Sequence, residues 1–406
     1  MSVAANDPRL IASQPGLRGL YAAALRRVRN GELGVLPVVV GLIAIAIIFQ
    51  IANSNFLTAR NLSNLVLQIA AVGTIAIGVV LVLLLGEIDL SVGAVSGLCA
   101  AVMAVLNVKQ GWPGPLAIAA AVAVGAAIGL LHGLWITRFR VPSFVVTLAG
   151  LLAWQGVQLR VLGNTGTINL TDATITDLAG RFMPEVVGWL VGVVALLVFA
   201  GLALRERRRR SSAELTVGST TALWAQLAIA TLCVLGAVAI LNADRGVPLA
   251  LLIFLGLIVA FDLLLRDTRF GRHVFAVGGN AEAARRAGIS VNANYVAVFV
   301  LASGLAGCGG VLAASRLLAA NQSSGGGDVL LDAIAAAVIG GTSLFGGRGT
   351  VWAALLGALV IGSISNGMDL LALASSVKFM ITGAVLLLAV TIDALSRRGR
   401  QAAGRA

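Results

Sequence analysis

Asp267-Thr-Arg-Phe-Gly-Arg-His-Val-Phe-Ala-Val-Gly-Gly-Asn-Ala-Glu-Ala-Ala-Arg-Arg-Ala-Gly288 is a polar, arginine-bearing stretch lying between two long apolar runs. Its second half, Asn280 to Gly288, is written as a short helix with both ends marked. Asn280 can cap the first turn, and Glu282 suits the positive N-terminal end of the helix dipole. Arg285 and Arg286 suit the negative C-terminal end, and Gly288 can adopt the left-handed stop. A helix of about seven residues is marginal alone in water. The expectation is therefore that something outside the bilayer holds it, which makes the stretch a docking element between two membrane helices.

The rest of the chain supplies the membrane. Of its 406 residues 59% are hydrophobic and only 11% are charged, whereas a soluble domain carries roughly one quarter charged. Helices satisfy their own backbone hydrogen bonds in lipid. The apolar runs are close to the ~20 residues of a spanning helix rather than the ~10 alternating residues of a barrel strand. The expected fold class is an all-α polytopic membrane protein.

Twelve runs qualify as spans: 34–51, 62–85, 90–106, 115–136, 141–161, 186–204, 220–241, 247–265, 295–318, 331–345, 351–366 and 371–393. The third, tenth and eleventh are short and rich in glycine, which leaves tilted, broken or re-entrant segments open and keeps a ten-span arrangement as the competitor. An even count puts both termini on one side. With that side cytoplasmic, its segments carry 22 Lys and Arg against 4 in the opposite loops, the bias expected of a positive-inside topology. The organisation is then a cytoplasmic segment 1–33, a membrane domain 34–393 and a cytoplasmic tail 394–406. The membrane domain includes a hairpin over 186–241 and a cytoplasmic loop over 266–294. The basic N-terminal segment is too long for a signal peptide, and Ile51 to Asn55 makes a poor cleavage site, so the first helix is retained.

The net charge of +12 does not point to nucleic acid, because the arginines sit in short runs between spans. Cys99, Cys233 and Cys308 all lie in apolar runs and read as small core residues. Gly93/Gly97 and Gly125/Gly129/Gly133 recur at close-packing spacing, within one bundle or across a dimer. A shared rhythm between Ile75–Ala104 and Ile334–Ser363 is too faint to establish an internal repeat.

Most enzymatic signals are absent. Neither Lys109 nor Lys378 follows a GxxxxG, so there is no Walker P-loop, and two histidines (His132, His273) are too few for a histidine metal cluster. No G-x-S-x-G or H-E-x-x-H occurs. Several membrane-embedded or edge residues are candidates for a translocation pathway. Glu87, Asp89 and Ser91 interrupt the second and third spans, either as a gating element or with Asp89 or Ser91 capping the next helix. Trp154, Gln155 and Asn164, with Gln158 and Thr165 nearby, offer the aromatic and amide groups that suit sugar hydroxyls, although an interfacial aromatic belt explains Trp154 equally well. Asp332 either caps the tenth span or lines the outward mouth. Arg316, Asp369 and Lys378 read as snorkelling surface residues, and Asp262 and Arg266 stand at the spacing of an intrahelical ion pair.

The segment Glu282-Ala-Ala-x-x-x-Gly288 resembles the EAA coupling motif of ABC importer permeases. Four further segments join it: Glu87-Ile-Asp-Leu-Ser-Val-Gly93, Val141-Pro-Ser-Phe-Val-Val-Thr-Leu148, Gly271-Arg-His-Val-Phe-Ala-Val-Gly-Gly-Asn280 and Leu331-Asp-Ala-Ile-Ala-Ala-Ala-Val-Ile-Gly-Gly-Thr-Ser343. As a set they are similar to the monosaccharide (ribose/xylose/galactose-type) permease family, over about residues 35–395. The extra hairpin, with its Arg205–Arg210 turn, is similar to that of the xylose-type members. One departure is that relatives tend to carry a basic residue where Thr382 aligns, while here Lys378 stands one turn earlier.

The resemblance implies the transmembrane subunit of an ATP-driven sugar importer in the bacterial inner membrane. It implies a homodimer forming the pore and a periplasmic sugar-binding protein delivering the sugar. A cytoplasmic ATPase would dock on Gly271, Arg272, Gly278, Gly279, Asn280, Glu282, Ala283, Ala284 and Gly288. ATP and magnesium would be held by that ATPase, and this chain would hold no cofactor and perform no catalysis. The rival readings are an ion-coupled secondary transporter, a membrane transferase acting on lipid-linked sugars, and a passive sugar channel. None of the three accounts for a capped docking helix.

Overall fold

Each run expected to cross the bilayer contains a helix in the computed structural model, which describes residues 36–212 and 220–402. The expected segment 1–33, residues 213–219 of the hairpin turn and the last residues 403–406 lie outside the described residues. The described residues divide into two units: 36–181 with 248–398, and 182–212 and 220–247 with 399–402.

The larger unit begins with α1 (Leu36–Ala52), α2 (Ala59–Leu84) and α3 (Val92–Ala104), the last prolonged by a π-helical turn, Val105–Lys109. It continues with α4 (Gly114–Phe139), α5 (Ser143–Leu162), a short strand β1 (Thr167–Asn169) and α6 (Ala173–Gly180). The smaller unit contributes the hairpin α7 (Glu185–Ser212) and α8 (Thr220–Asn242). The larger unit resumes with α9 (Leu249–Asp267), α10 (Arg269–Gly279), α11 (Ala281–Arg286) and α12 (Val291–Leu317). It ends with β2 (Ala319–Asn321), α13 (Gly327–Ile339), α14 (Trp352–Leu370) and α15 (Ser375–Ala402). The twelve expected spans fall one for one on α1–α5, α7–α9 and α12–α15. Nine of these, among the described residues, are long and apolar enough to cross a membrane unaided, and α1 and the Ser375–Leu388 part of α15 are shorter apolar helices.

The span expected over 331–345 is the one whose shape differs. Its helix, α13, is 13 residues long, about 20 Å at helical rise, against a hydrocarbon core of roughly 30 Å. It begins earlier than expected, after Gly326, and ends at Gly340, where Gly341 turns into the left-handed region at φ 106°. α13 by itself is too short to cross, and irregular segments adjoin it at both ends, an arrangement tolerated at membrane depth only where protein or a cavity covers the backbone. The ends are fixed by pairing. At one end β2 pairs antiparallel with β1, Ile168 opposite Ala320. At the other, the Gly347 amide donates to the Leu84 carbonyl at 2.9 Å.

α2 lies at the centre of the larger unit, with 83% of its most apolar window buried. It packs against α9, α12, α13 and α14. Asn61 of α2 and Asn366 of α14 exchange amide hydrogen bonds at 2.7 and 3.1 Å, a polar clasp that costs little in lipid because both amides are satisfied. The Gly125/Gly129/Gly133 seam is used inside the chain: a Cβ on Gly129 would lie 2.2 Å from the Phe299 carbonyl oxygen of α12. Close packing within the bundle, rather than between copies, accounts for that spacing. Cys99 is buried and Cys308 half-buried, but Cys233 is exposed on α8, so it is not the core residue expected.

In the smaller unit α7 and α8 lie side by side, with Gly192 facing Val238 and Val234. The Met183 amide donates to the Val247 carbonyl at 2.8 Å, and Arg245 stacks over the Phe182 ring at 4.2 Å. The arginine run expected as a turn from Arg205 continues α7 helically to Ser212.

Candidate functional site

The loop that opens the sequence forms two helices at a corner, not one. α10 starts where the Thr268 hydroxyl accepts from the Gly271 amide at 3.2 Å, and it buries Gly271, Val274 and Val277 on one face. The backbone then breaks at Asn280 (φ −162°, ψ 101°), whose side chain accepts from the Ala283 amide at 2.9 Å. α11 is six residues long and closes at Gly288, φ 81°. Glu282 bridges to Arg285 at 3.0 Å and to Arg286 at 3.3 Å. All three are exposed, and such pairs contribute only about 0–1 kcal/mol each.

The chain itself supplies part of the support that a six-residue helix needs. Ala284 is buried while Glu282, Ala283, Arg285 and Arg286 face outward. Gly278 presses so closely on α2 that a Cβ there would lie 1.7 Å from the Leu84 carbonyl oxygen and 2.8 Å from the Gly347 amide nitrogen. Gly279, one residue on, has nothing within 4 Å of a built Cβ. Leu84, Gly278 and Gly347 therefore meet at one end of the bundle. The docking loop is thus in backbone contact with the end of α2 and with the turn joining α13 to α14. That contact has no sequence signal beyond the glycine itself. The helix α10 was legible in principle from Thr268 as a cap and the i, i+3, i+6 burial of Gly271, Val274 and Val277.

The polar break between α2 and α3 holds the same end together. Glu87 accepts hydrogen bonds from the Ser143 hydroxyl, at the start of α5, and from the Tyr295 hydroxyl of α12 at 2.8 Å. Asp89 is 3% exposed and folds back on its own turn, accepting from the Ser91 amide at 2.8 Å and hydroxyl at 2.6 Å. Ser91 occupies the N-cap position of α3 but makes no side-chain cap bond. Beside Glu87 an open recess of 1040 Å³ is lined by Arg138, Arg140 and Arg285.

The remaining candidates do not converge. Trp154 stands in the body of α5 rather than at its end, and its indole N–H donates to His132 Nε2 at 3.0 Å. His132 is 3% exposed, a packed histidine between two helices. Gln155 lines a separate recess with Gln158, and the Gln158 amide donates to the Asn321 and Ser324 carbonyls at 3.0 and 2.9 Å. Asn164 is exposed in the turn beyond α5. Asp332 lies in the second turn of α13, whose N-cap position is Gly326, so it is not a cap.

Asp332 instead lines a cavity of 490 Å³ bounded by α2, α3, α12, the 321–325 segment, α13, α14 and α15. Arg316, Asp369 and Lys378 line the same cavity; Arg316 and Asp369 are exposed and Lys378 is half-buried, in keeping with the surface position expected, and Lys378 donates to Asp369. Lys378 and Thr382 both face it. The basic group placed one turn early thus serves the same wall of the same space. Sequence reading missed Gln68, Asn321 and Asp328, since nothing local marks a residue as facing a cavity built from seven segments. Asp262 and Arg266 form the expected ion pair at 3.2 Å. Among the described residues no group of three or more His, Cys, Asp or Glu is placed to hold a metal.

At the ribbon end, Asp172 caps α6 by accepting from the Thr174 amide at 2.8 Å and takes a second bond from Asn107 at 3.0 Å. Partial burial works to raise its carboxyl pKa, but these hydrogen bonds outweigh it and hold the group below the usual range.

Comparison with known proteins gives a consistent picture. The family model described as branched-chain amino acid transport system / permease component matches residues 61–390. The xylose transport system permease protein of Escherichia coli is 39% identical over 368 residues, covering 90% of this chain and 93% of that protein. Its counterpart from Haemophilus influenzae is 38% identical, covering 89% of this chain and 97% of that protein. The ribose import permease protein of Escherichia coli is 32% identical over 87% of this chain and 92% of its own length. No solved structure matches.

Proposed function

The chain belongs to the family of permease components of branched-chain amino acid transport systems, and from that membership we propose that it is the transmembrane subunit of an ATP-driven importer for a monosaccharide, D-xylose foremost. Sugar, rather than an apolar amino acid, is favoured by the names of its full-length relatives, two xylose permeases and a ribose permease. It is favoured also by a cavity whose walls carry carboxylates, amides and hydroxyls. In this reading the α10–α11 end faces the cytoplasm of a bacterial inner membrane, with both termini on that side, a placement that the 22 to 4 bias of basic residues supports.

The single observation that carries the proposal is the construction of the docking loop: a capped helix with an exposed charged face, backed by Gly278 against Leu84 and Gly347. A partner ATPase gripping Glu282, Ala283, Arg285 and Arg286 moves α10 and α11 as a lever. Backbone contact leaves no flexible side chain to absorb the motion, so displacement passes to the end of α2 and to the turn between α13 and α14. Those ends belong to α2, α13 and α14, and other stretches of the same helices line the 490 Å³ cavity. The partner binds and hydrolyses ATP with its magnesium, this chain provides the pathway, and a homodimer forms the pore. A periplasmic binding protein presents sugar at the ribbon end.

The test is co-reconstitution of the chain with its ATPase and binding protein in liposomes, following labelled xylose and ribose. ATP-dependent, xylose-selective uptake supports the proposal. Uptake of another sugar keeps the importer and removes xylose. Uptake without ATP or the ATPase rejects the importer in favour of a channel or an ion-coupled carrier.

A further inference from the structure

Among the described residues, two carboxylates that line the 490 Å³ cavity have no protein hydrogen bond or ion pair of their own. Asp328 and Asp332 stand one turn apart on the same face of α13 and both line the space. Among the described residues neither is bonded to a donor, whereas the third carboxylate, Asp369, takes the Lys378 ammonium. Asp332 is half-buried and Asp328 exposed; an ionised carboxylate is acceptor-only, so both offer acceptors to whatever enters the space. Among the described residues the Gln68 amide, half-buried across the cavity on α2, also has no protein hydrogen bond. The space therefore presents unfilled acceptors together with an amide that can both donate and accept. Apolar surface from Ile69, Val72 and Phe379 completes the wall.

We propose that this cavity is a polyol-binding subsite within the single chain, taking a neutral monosaccharide with its hydroxyls on Asp328, Asp332 and Gln68 and its C–H face on the apolar wall. The volume lies within the ~300–1,000 Å³ of small-molecule sites. A sugar is the complement of this lining: its O–H groups satisfy the carboxylates, and its oxygens accept from the amide. A metal cation is disfavoured, because only two carboxylates are free and no three-ligand cluster is placed to hold one among the described residues. The turn ahead of α13 brings Ser323 and Ser324 to the cavity wall, and the first turn of α13 adds Asp328.

The inference rests on the importer reading, so the experiment separates the two. Equilibrium binding of labelled D-xylose is measured on the full chain in lipid nanodiscs, alongside ATP-driven uptake by the complete transporter in liposomes. The expected result is saturable binding that Asp332→Asn and Asp328→Asn each weaken about 10- to 100-fold, the range for losing a hydrogen bond to a charged group. Uptake should fall in parallel. Size exclusion and thermal unfolding check that the variants are folded. Should Asp332→Asn misfold, the exposed Asp328→Asn and a Gln68→Leu variant decide instead. ATP-driven uptake by the wild type with no saturable binding, or with binding unchanged by folded variants, overturns the subsite and leaves the importer standing. No ATP-driven uptake of any sugar overturns the importer and the subsite together.

Discussion

Two adjacent glycines in the docking loop have opposite surroundings, and they make the sharpest test at the residue scale. A Cβ on Gly278 would lie 1.7 Å from the Leu84 carbonyl oxygen, and one on Gly279 would meet nothing within 4 Å. Gly278→Ala must push α10 away from α2, an overpacking cost of about 1–3 kcal/mol. The expected outcome is a lower unfolding temperature and loss of most binding-protein-stimulated ATP hydrolysis, with Gly279→Ala close to wild type in both assays. Equal behaviour of the two variants would remove the lever. Glu282→Arg probes the outer face of the same loop. Its two ion pairs are exposed and stabilise little, so folding should change by less than about 1 kcal/mol while ATP-dependent uptake is lost; normal uptake by the folded variant would count against docking there. What the sequence made legible at this scale was whatever is decided by near neighbours. The Asn280 cap, the placing of Glu282 at one end of α11 and of Arg285 and Arg286 at the other, and the Gly288 stop are all decided within a few residues. What was not legible was Leu84 behind Gly278, a contact set by tertiary packing alone.

At the scale of elements, the apolar periods gave the helices their number, and the exceptions have physical causes. The residues Gly340-Gly341-Thr342-Ser343 read as a continuing span, yet Gly341 takes a left-handed φ of 106° and ends α13 early. The cap that Asp332 offered, as one of its two readings, is displaced because the true start at Gly327 lies earlier, after glycines that carry no capping side chain. Trp154 resembles a belt residue until its His132 partner, on another helix, is seen. The glycine seam of α4, by contrast, has a single consequence. With the Phe299 carbonyl 2.2 Å from a Cβ at position 129, Gly129→Leu should part α4 from α12. The expected outcome is poor membrane insertion or a marked fall in unfolding temperature, read by fluorescence-detected size exclusion. A well-folded Gly129→Leu protein that loses only oligomerisation would instead place the seam between copies. A second element-scale test uses pH. Asp172 has its carboxyl pKa lowered in the folded chain by hydrogen bonds to the α6 amides and Asn107. Its contribution to stability is therefore present above the ordinary carboxylate pKa of roughly 3.9 and is lost as pH falls through the lower folded value. Asp172→Asn should be less stable than wild type at neutral pH, and the gap should narrow in thermal scans taken at progressively more acidic pH.

Taken whole, the larger unit is threaded so that alternate connections gather at opposite ends, and this alternation was the most legible feature of the sequence. Leu84, Glu87, Ser143, Gly278, Tyr295 and Gly347 meet through hydrogen bonds and backbone contacts at one end. Asn53 with Leu370, Lys109 with Leu162, and Asn107 with Asp172 meet at the other. Counting charges had sorted the same loops because the positive-inside bias acts on each loop separately and needs no tertiary knowledge. The hairpin α7–α8 fits the pattern in a testable way. The Leu249 amide donates to the Arg181 carbonyl at 3.0 Å, both within the larger unit. The chain thus leaves that unit and re-enters it at adjoining points. Removing two spans keeps the count even, so the sidedness of every other loop is preserved. A chain in which residues 183–246 are replaced by a short Gly-Ser linker should therefore still insert, assemble with the ATPase and import sugar within about threefold of the full-length rate, since none of the groups lining the 490 Å³ cavity or the docking loop is removed. Liposome uptake by the shortened chain measures this directly. Full insertion with uptake abolished would make the hairpin part of the pathway or of a required interface. Failed insertion would show that α9 depends on the hairpin to enter the membrane in its proper direction.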